Sequence, residues 1–410
     1  MNQSHSIRRR VLRFAAFSFV LFISPALAGE PQVNGRLETI DTCRVLHVWG
    51  TPEEMGFAHG YLIGSEYLTL VNEEMTGLNA EAKHARDAAQ SAMLPLVHMP
   101  EDAQAEIEGL YKGMVARHGG PPKIASLGRA LVVEDLILHN AGDLIRAFAC
   151  SGFTVWGERA GGAGVLTARN FDFAVPGPES LKTQFILVRE PKGKRKVATV
   201  TFPAYIGAYT GINDDGVCVF MHDGTGPRSP RRVGTYTPAA LVLKDTLERY
   251  GAGEALGGVE EALKGIVPYP FSYLIHTVTT GVSGTSSPPV RVFRVDSSGL
   301  SENMTGDFGC LLTNHYLMED GEPAANTSDD SRRRYEILKF QVTSAVTPEQ
   351  AWKALGAVAA SKPRAATLHS LVVLPQQRRM EISLASWGNA VIPATGIPPT
   401  SISFQKLFGR

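Results

Sequence analysis

Up to residue 149 the apolar and polar positions follow a helical period. Apolar residues return at three- and four-residue intervals through 60–75, 103–116 and 132–149, with breaks at Met99-Pro100 and at His118-Gly119-Gly120-Pro121-Pro122. From Cys150 onward the texture changes. Short β-branched and aromatic runs at 164–173, 184–190, 196–202 and 217–222 are separated by Gly, Asp and Asn, the punctuation of successive strands. Helical spacing returns at 238–250, 254–266, 331–342 and 348–360, while 273–280, 290–296 and the hairpin 368–386 read as strands. Residues 224–235 and 281–289 have the Gly, Ser and Pro content of loops. Grouped strands and grouped helices predict an α+β protein in which two layers of sheet are covered by helices, with a seam at Cys150.

The first residues follow neither pattern. Arg8, Arg9, Arg10 and Arg13 precede an apolar run at 14–23, and Ala26-Leu27-Ala28 supplies small residues for cleavage, so 1–28 reads as a signal peptide and the protein as exported, periplasmic or secreted. The apolar run is shorter than the roughly 20 residues that span a bilayer, so no integral membrane segment is expected once the signal is removed. Arg8-Arg9-Arg10 also resembles a twin-arginine export signal. Charge balances over the 410 residues, and loss of 1–28 leaves about four net negative charges, which argues against a nucleic-acid partner.

Four cysteines, Cys43, Cys150, Cys218 and Cys310, are too few and too scattered for a disulfide framework or a zinc site, and no metal or cofactor is expected. Cys218 and Cys310 sit in strand-like runs and read as core thiols. Cys150 differs through its company. The next strand, Val165-Leu166-Thr167-Ala168-Arg169-Asn170-Phe171-Asp172-Phe173, carries two charges among apolar residues. Antiparallel pairing across a turn at 157–164 would bring Arg169 and Asp172 beside Cys150, where a guanidinium favours a thiolate and a carboxylate can hold a free α-ammonium group. A buried structural Arg/Asp pair is the alternative. Asn314 closes the apolar strand Leu311-Leu312-Thr313 and can offer its NH2 to a developing oxyanion, or serve as a turn residue. Asn213, in Gly211-Ile212-Asn213-Asp214-Asp215-Gly216, reads as a turn residue. Of Arg332, Arg333 and Arg334 on one helix, at most one can face a pocket with Tyr335. His59 and His315 read as structural histidines, and no Gly-x-Ser-x-Gly elbow or phosphate loop is present.

Together these pieces resemble the N-terminal nucleophile hydrolases of the acyl-CoA:6-aminopenicillanic acid acyltransferase type, peptidase family C45, with more distant similarity to choloylglycine and penicillin V acylases and acid ceramidase. The resemblance rests on Gly56-x-x-His59-Gly60, Cys150-Ser151, Arg169-Asn170-Phe171-Asp172, the 211–216 turn, Thr313-Asn314-His315 and Ser331-x-x-Arg334, in that order along the chain. It implies a four-layer αββα sandwich, a helical propeptide at 29–149 that stays associated as a subunit, and a catalytic part at 150–410. It further implies self-cleavage between Ala149 and Cys150, and Cys150 as nucleophile with its own α-amine as base. Asp172 would fix that amine, Arg169 would stabilise the thiolate or substrate, Asn314 would complete the oxyanion hole, and Arg334 would join the site. The expected activity is hydrolysis or transfer of the acyl group of a small linear amide through an acyl-Cys150 thioester. The alternatives are an exported, non-catalytic ligand-binding protein on the same scaffold, and an uncleaved thiol enzyme with His59 or His315 as base.

Overall fold

Two β-sheets face each other across an apolar interior, and each carries helices on its other face. This is the architecture of a computed structural model that describes residues 31–144, 148–224, 234–280, 287–303, 305, 309–362 and 365–409. The expected signal peptide lies outside the described residues. Residues 33–410 form one compact unit.

The chain opens with a hairpin, β1 (Gly35–Ile40) and β2 (Cys43–Gly50), followed by α1 (Pro52–Ile63), α2 (Ser65–Glu74), α3 (Ala80–Ser91) and α4 (Glu101–His118). A two-residue ribbon, β3 (Lys123–Ile124) and β4 (Arg129–Ala130), leads into α5 (Val133–Asn140). Next come β5 (Ala149–Trp156), β6 (Val165–Ala174), α6 (Pro178–Lys182), β7 (Phe185–Pro191), β8 (Val197–Thr201), β9 (Thr210–Asn213) and β10 (Cys218–Asp223). Helices α7 (Ala239–Arg249) and α8 (Ala255–Lys264) precede β11 (Tyr273–Val278), β12 (Val290–Asp296), β13 (Gly299–Glu302) and β14 (Gly309–Leu312). The last stretch holds α9 (Asp329–Gln341), α10 (Pro348–Ala357), β15 (Ser361–Lys362), β16 (Ala365–Leu374), β17 (Arg379–Leu384), the ribbon β18 (Ser386–Trp387) with β19 (Val391–Ile392), and β20 (Thr400–Ser403).

One sheet runs β1-β2-β7-β8-β9-β10-β11-β12-β13, and the other runs β14-β5-β6-β16-β17-β20. Alternation along the strands builds the layers. Ile186, Val188, Cys218 and Phe220 of the first sheet meet Val165, Leu371, Val373 and Ile382 of the second between the sheets. Phe153, Val155, Leu166 and Val372 turn the other way, onto Leu338 of α9 and Leu355 of α10. Leu46, Val48 and Leu187 pack outward on Met55, Ala58 and Ile63 of α1. The fold is therefore the four-layer αββα sandwich.

Three expectations for 29–149 need correction. The segment is not wholly helical, because β1 and β2 belong to the first sheet, with β2 parallel to β7. Strand β2 is buried on both faces, Cys43 and Val45 inward and Leu46 and Val48 toward α1, so its apolar run has no period of two to read. The helix expected over 132–149 ends at Asn140, and Ala149 already belongs to β5. The helix expected over 60–75 is two helices that meet at Gly64. All four cysteines are free and buried. Among the described residues no helix is long and apolar enough to cross a membrane.

The Gly56-x-x-His59-Gly60 motif has a structural reason. A Cβ on Gly56 would lie 1.9 Å from the Glu106 carbonyl oxygen and one on Gly60 2.0 Å from that of Leu110, so the glycines let α1 and α4 touch backbone to backbone. His59 accepts the N–H of Ala204 at Nε2, 3.0 Å away, in a strained turn where Ala204 has φ of 64°. Glu106, on the same face of α4, reaches Arg189 of β7, which also binds Glu248 of α7 at 3.1 Å, a fully buried ion cluster joining the early helices to the sheet. Gly60→Val should force α1 off α4 and destabilise the protein by about 1–3 kcal/mol. Urea unfolding measures this, and an unchanged midpoint would contradict the close-contact role.

Candidate active site

The site is built on the β5–β6 hairpin, whose register sets Cys150 opposite Phe171, Gly152 opposite Arg169 and Ala149 opposite Asp172. Arg169 and Asp172 are three residues apart, so they leave opposite faces of β6. Arg169 shares the inter-sheet face with Cys150, and Asp172 shares the helix-covered face with Ala149 and Ser151. A guanidinium thus approaches from one side of the Ala149–Cys150 bond and a carboxylate from the other. Gly152 leaves the guanidinium its space: a Cβ there would press on the Ala168 carbonyl at 2.8 Å and on His222 at 3.3 Å.

Arg169 is completely buried, with Nη2 3.2 Å from the Cys150 sulfur and 2.7 Å from the Met221 carbonyl oxygen. The guanidinium lies 5.4 Å from the ring centre of Phe171 and 5.5 Å from that of Phe220, within cation–π range. The thiol points at the Met221 carbonyl, 3.7 Å away. Burial pushes this thiol up to about 12 and outweighs the opposing pull of Arg169, so in the uncut chain the sulfur keeps its proton.

Asn314 and Arg334 hold the backbone of Cys150. The Asn314 side-chain oxygen accepts the Cys150 N–H at 3.1 Å and an Arg334 N–H at 2.7 Å, while its NH2 donates to the Asp223 carbonyl at 2.8 Å. Asn314 is therefore at the site but turned the other way from the expected oxyanion donor. A peptide-bonded Cys150 has a buried N–H that needs an acceptor, and the amide oxygen supplies it. Arg334 donates to the Cys150 carbonyl at 2.6 Å and to the Ser151 hydroxyl at 2.9 Å, and Asp330 fixes its Nε at 2.8 Å. Arg332 and Arg333 are exposed, so of the three arginines Arg334 is the one that enters.

The sequence reading missed Thr367, Ser331 and Met221. Thr367 donates its hydroxyl to Asp172 at 2.5 Å and accepts the Ala360 N–H at 2.8 Å. A bulge between Thr367 and His369 makes this contact possible. With the extra residue, Thr367 turns to the helix face beside Asp172, while His369 turns inward and stacks on Phe171 at 4.8 Å. Ser331 accepts the Asn314 N–H at 2.8 Å and so anchors the asparagine from below. No spacing in the sequence signals a bulge or a carbonyl acceptor. Ser331 alone was within reach, as the first residue of the Ser331-x-x-Arg334 motif.

Other candidates fall away from the reacting bond. Asn213 is a turn residue: its oxygen accepts the N–H groups of Asp215 and Val217, and its NH2 binds the carbonyls of Leu247 and Tyr250. Burial drives His59 down to about 3 and His315 to about 4, and His315 is bound to Thr313 and Ser331. Neither hydrogen-bonds the thiol. His222, His276 and His369, buried around Arg169, are also held well below the usual histidine range, by burial first and by the guanidinium second. Among the described residues no group of three or more His, Cys, Asp or Glu could hold a metal ion.

No protein-family model matches the chain. A protein of Archaeoglobus fulgidus described only as uncharacterized is 23% identical over 205 residues, covering 43% of this chain and 32% of that relative, so the chain spans about a third of its length. Among solved structures, a Caenorhabditis elegans ortholog of N-acylethanolamine-hydrolyzing acid amidase is 15% identical over 55% of this chain and 93% of its own, with a TM-score of 0.40. A mutant of the conjugated bile acid hydrolase of Clostridium perfringens is 12% identical over 62% of this chain and 93% of its own, with a TM-score of 0.42. Penicillin V acylase of Agrobacterium tumefaciens is 13% identical over 57% and 83%, with a TM-score of 0.30. These are similarities of low identity.

Ala149, Asp172 and Arg334 open onto a cleft of about 600 Å³ that also touches Asp330, Arg333 and Lys362. Burial pushes the Asp172 carboxyl up to about 6, against the pull of the Thr367 hydroxyl and of both guanidinium groups. Raised from an unfolded value near 3.9, this group binds its proton more tightly in the folded chain. Its contribution to stability is complete below about pH 4 and is lost as pH rises through about 6. In an uncut Cys150→Ala background, Asp172→Asn should therefore raise Tm at pH 8 and leave it nearly unchanged at pH 4. A Tm difference that stays constant from pH 4 to 8 would sink this assignment.

Proposed function

We propose that this chain is an exported, self-processing cysteine amidohydrolase or acyltransferase that cuts its own Ala149–Cys150 bond and then takes the acyl group of a linear amide onto Cys150. The observation that carries this reading is the convergence on one residue: a buried guanidinium 3.2 Å from its sulfur, Asn314 on its N–H and Arg334 on its carbonyl. A structural thiol has no need of such company. The buried strand end at Ala149, flanked by a carboxylate, supplies what the other half of the chemistry requires.

In the uncut chain the sulfur attacks the Ala149 carbonyl carbon. The thiol proton passes to the Cys150 nitrogen as the C–N bond breaks, which leaves the preceding chain on sulfur as a thioester and a free α-amine on Cys150. Water then adds to the thioester carbon, the sulfur leaves with a proton, and Ala149 ends as a carboxylate. The new amine has an ordinary value near 7.7–8.0, well below that of a lysine, so it can take the thiol proton near neutral pH. Arg169 is then the counter-ion of the thiolate. Asp172, across from Ala149, becomes the counter-ion of the ammonium, which draws its own proton affinity down. The Asn314 oxygen, already aimed at this nitrogen, orients the amine.

With a substrate, sulfur attacks the acyl carbonyl, the amine returns its proton to the leaving nitrogen, and the acyl group remains on Cys150. Water releases an acid, and an incoming amine gives transfer. After the cut the two fragments stay together, because β2 is paired to β7 and Glu106 is buried against Arg189. The uncleaved-enzyme reading lacks a base, since neither His59 nor His315 reaches the thiol.

Intact-mass analysis of the wild type and of Cys150→Ala is the test. The wild type should give two fragments of about 121 and 261 residues, counted from Gly29 and Cys150, and the variant should stay whole. A wild type that stays whole, or a variant that is cut at Ala149, would overturn self-processing.

A further inference from the structure

The walls of the cleft divide by chemistry on either side of the scissile carbonyl. In the antiparallel hairpin Asp172 faces Ala149, so Phe173 and Ala174 continue β6 on the acyl side of that carbonyl. Beyond them lies a second, smaller pocket of about 40 Å³ whose walls include Leu70, Phe173, Leu181, Phe202 and Leu368. Its polar members are engaged. Glu74 is held by Arg86 at 2.9 Å, His139 bonds the Pro203 carbonyl at 3.1 Å, and Ser180 is bound by Glu73 at 2.5 Å. One water needs roughly 10–15 Å³ in the same measure, so the pocket has room for about three such groups, a short apolar chain rather than a long one.

The cleft itself is positively charged. Arg333, Arg334 and Lys362 line it, against Asp330 and Asp172. Asp330 is shared by two guanidinium groups, Arg334 at 2.8 Å and Arg333 at 3.3 Å, and Asp172 is pushed up to about 6 by burial. Lys362 is exposed at the rim and makes no ion pair among the described residues. An anionic group on the amine side of the amide would meet this surplus of positive charge, with Lys362 as its nearest uncommitted partner.

Resting on the amidohydrolase reading above, we propose that the substrate is an N-acyl amino acid: a short apolar acyl group seated beyond Phe173 and Ala174, joined to an amine whose carboxylate is held by Lys362. Lys362 is thereby a specificity-determining residue that takes no part in the chemistry. Ala174, exposed at the junction of the two spaces, sets the entrance to the acyl pocket.

The test uses the processed wild-type enzyme with N-butyrylglycine, N-ethylbutyramide and N-palmitoylglycine. N-butyrylglycine should exceed each of the other two at least tenfold in kcat/KM. In Lys362→Ala the ratio of N-butyrylglycine to N-ethylbutyramide should fall toward one, whereas Lys339→Ala, on the exposed side of α9, should keep it. Ala174→Leu should cut turnover of N-butyrylglycine more than that of N-acetylglycine. Equal use of the glycine and ethyl amides by the wild type, or a ratio unmoved in Lys362→Ala, would overturn the carboxylate site, and preference for the palmitoyl chain would overturn the short pocket. Turnover of none of these amides, with no acyl group trapped on Cys150, would remove the amidohydrolase reading and this one with it.

Discussion

A guanidinium buried without a carboxylate at contact distance is the constraint around which the rest of the site is arranged. Taking a charged side chain out of water costs several kcal/mol, and Arg169 recovers part of that from one carbonyl, one sulfur and two aromatic faces. Its Nε and Nη1 have no protein partner. The field of this charge explains features that otherwise look unrelated. Three neighbouring histidines stay neutral, and the space between the sheets holds Thr154, Thr167 and Thr210 where purely apolar packing would be expected. The missing anion is the thiolate. While the chain is intact, burial keeps the sulfur protonated and the guanidinium uncompensated; ionisation of Cys150 is the event that completes the pair.

The hairpin distributes work by parity. Positions of one parity on β5 and β6 look into the space between the sheets, where sulfur and guanidinium meet. Positions of the other parity look toward α9 and α10, where Asp172, Ser151 and Arg334 collect. The scissile bond lies in the strand itself and is reached from both sides. Helix α9 serves this arrangement through its first turn: Asp330 fixes Arg334, and Ser331 holds the Asn314 backbone. One short helix end thereby controls both groups that bind the Cys150 peptide.

How much of this was legible in the chain follows from which interactions leave a period. The αββα layering was, because long strands at 165–174 and 365–374 and amphipathic helices at 239–249 and 348–357 carry plain signals. So was the meeting of Cys150 with Arg169 and Asp172, since two charges in a buried strand need a reason and the turn length fixes the register. The first hairpin was not legible, because β2 is apolar on both faces and its outer cover, α1, is specified elsewhere. The orientation of Asn314 was not, because it depends on whether Cys150 carries an amide or an amine. Arg334 could be picked from its neighbours only by the helix phase that the packing of Tyr335 and Leu338 sets.

The single extra residue in β16 carries a consequence for how such a site tolerates change. Thr367 and His369 are an even number apart and would share a face on a regular strand; the bulge sends one outward to Asp172 and the other inward toward Thr210. What supports the carboxylate is thus a matter of residue count as well as residue identity. A deletion of one position in this strand would leave every chemically competent side chain in the polypeptide and still part Asp172 from its hydroxyl. Drift in length here is silenced more strictly than drift in composition, the reverse of what holds in the loops that join the strands.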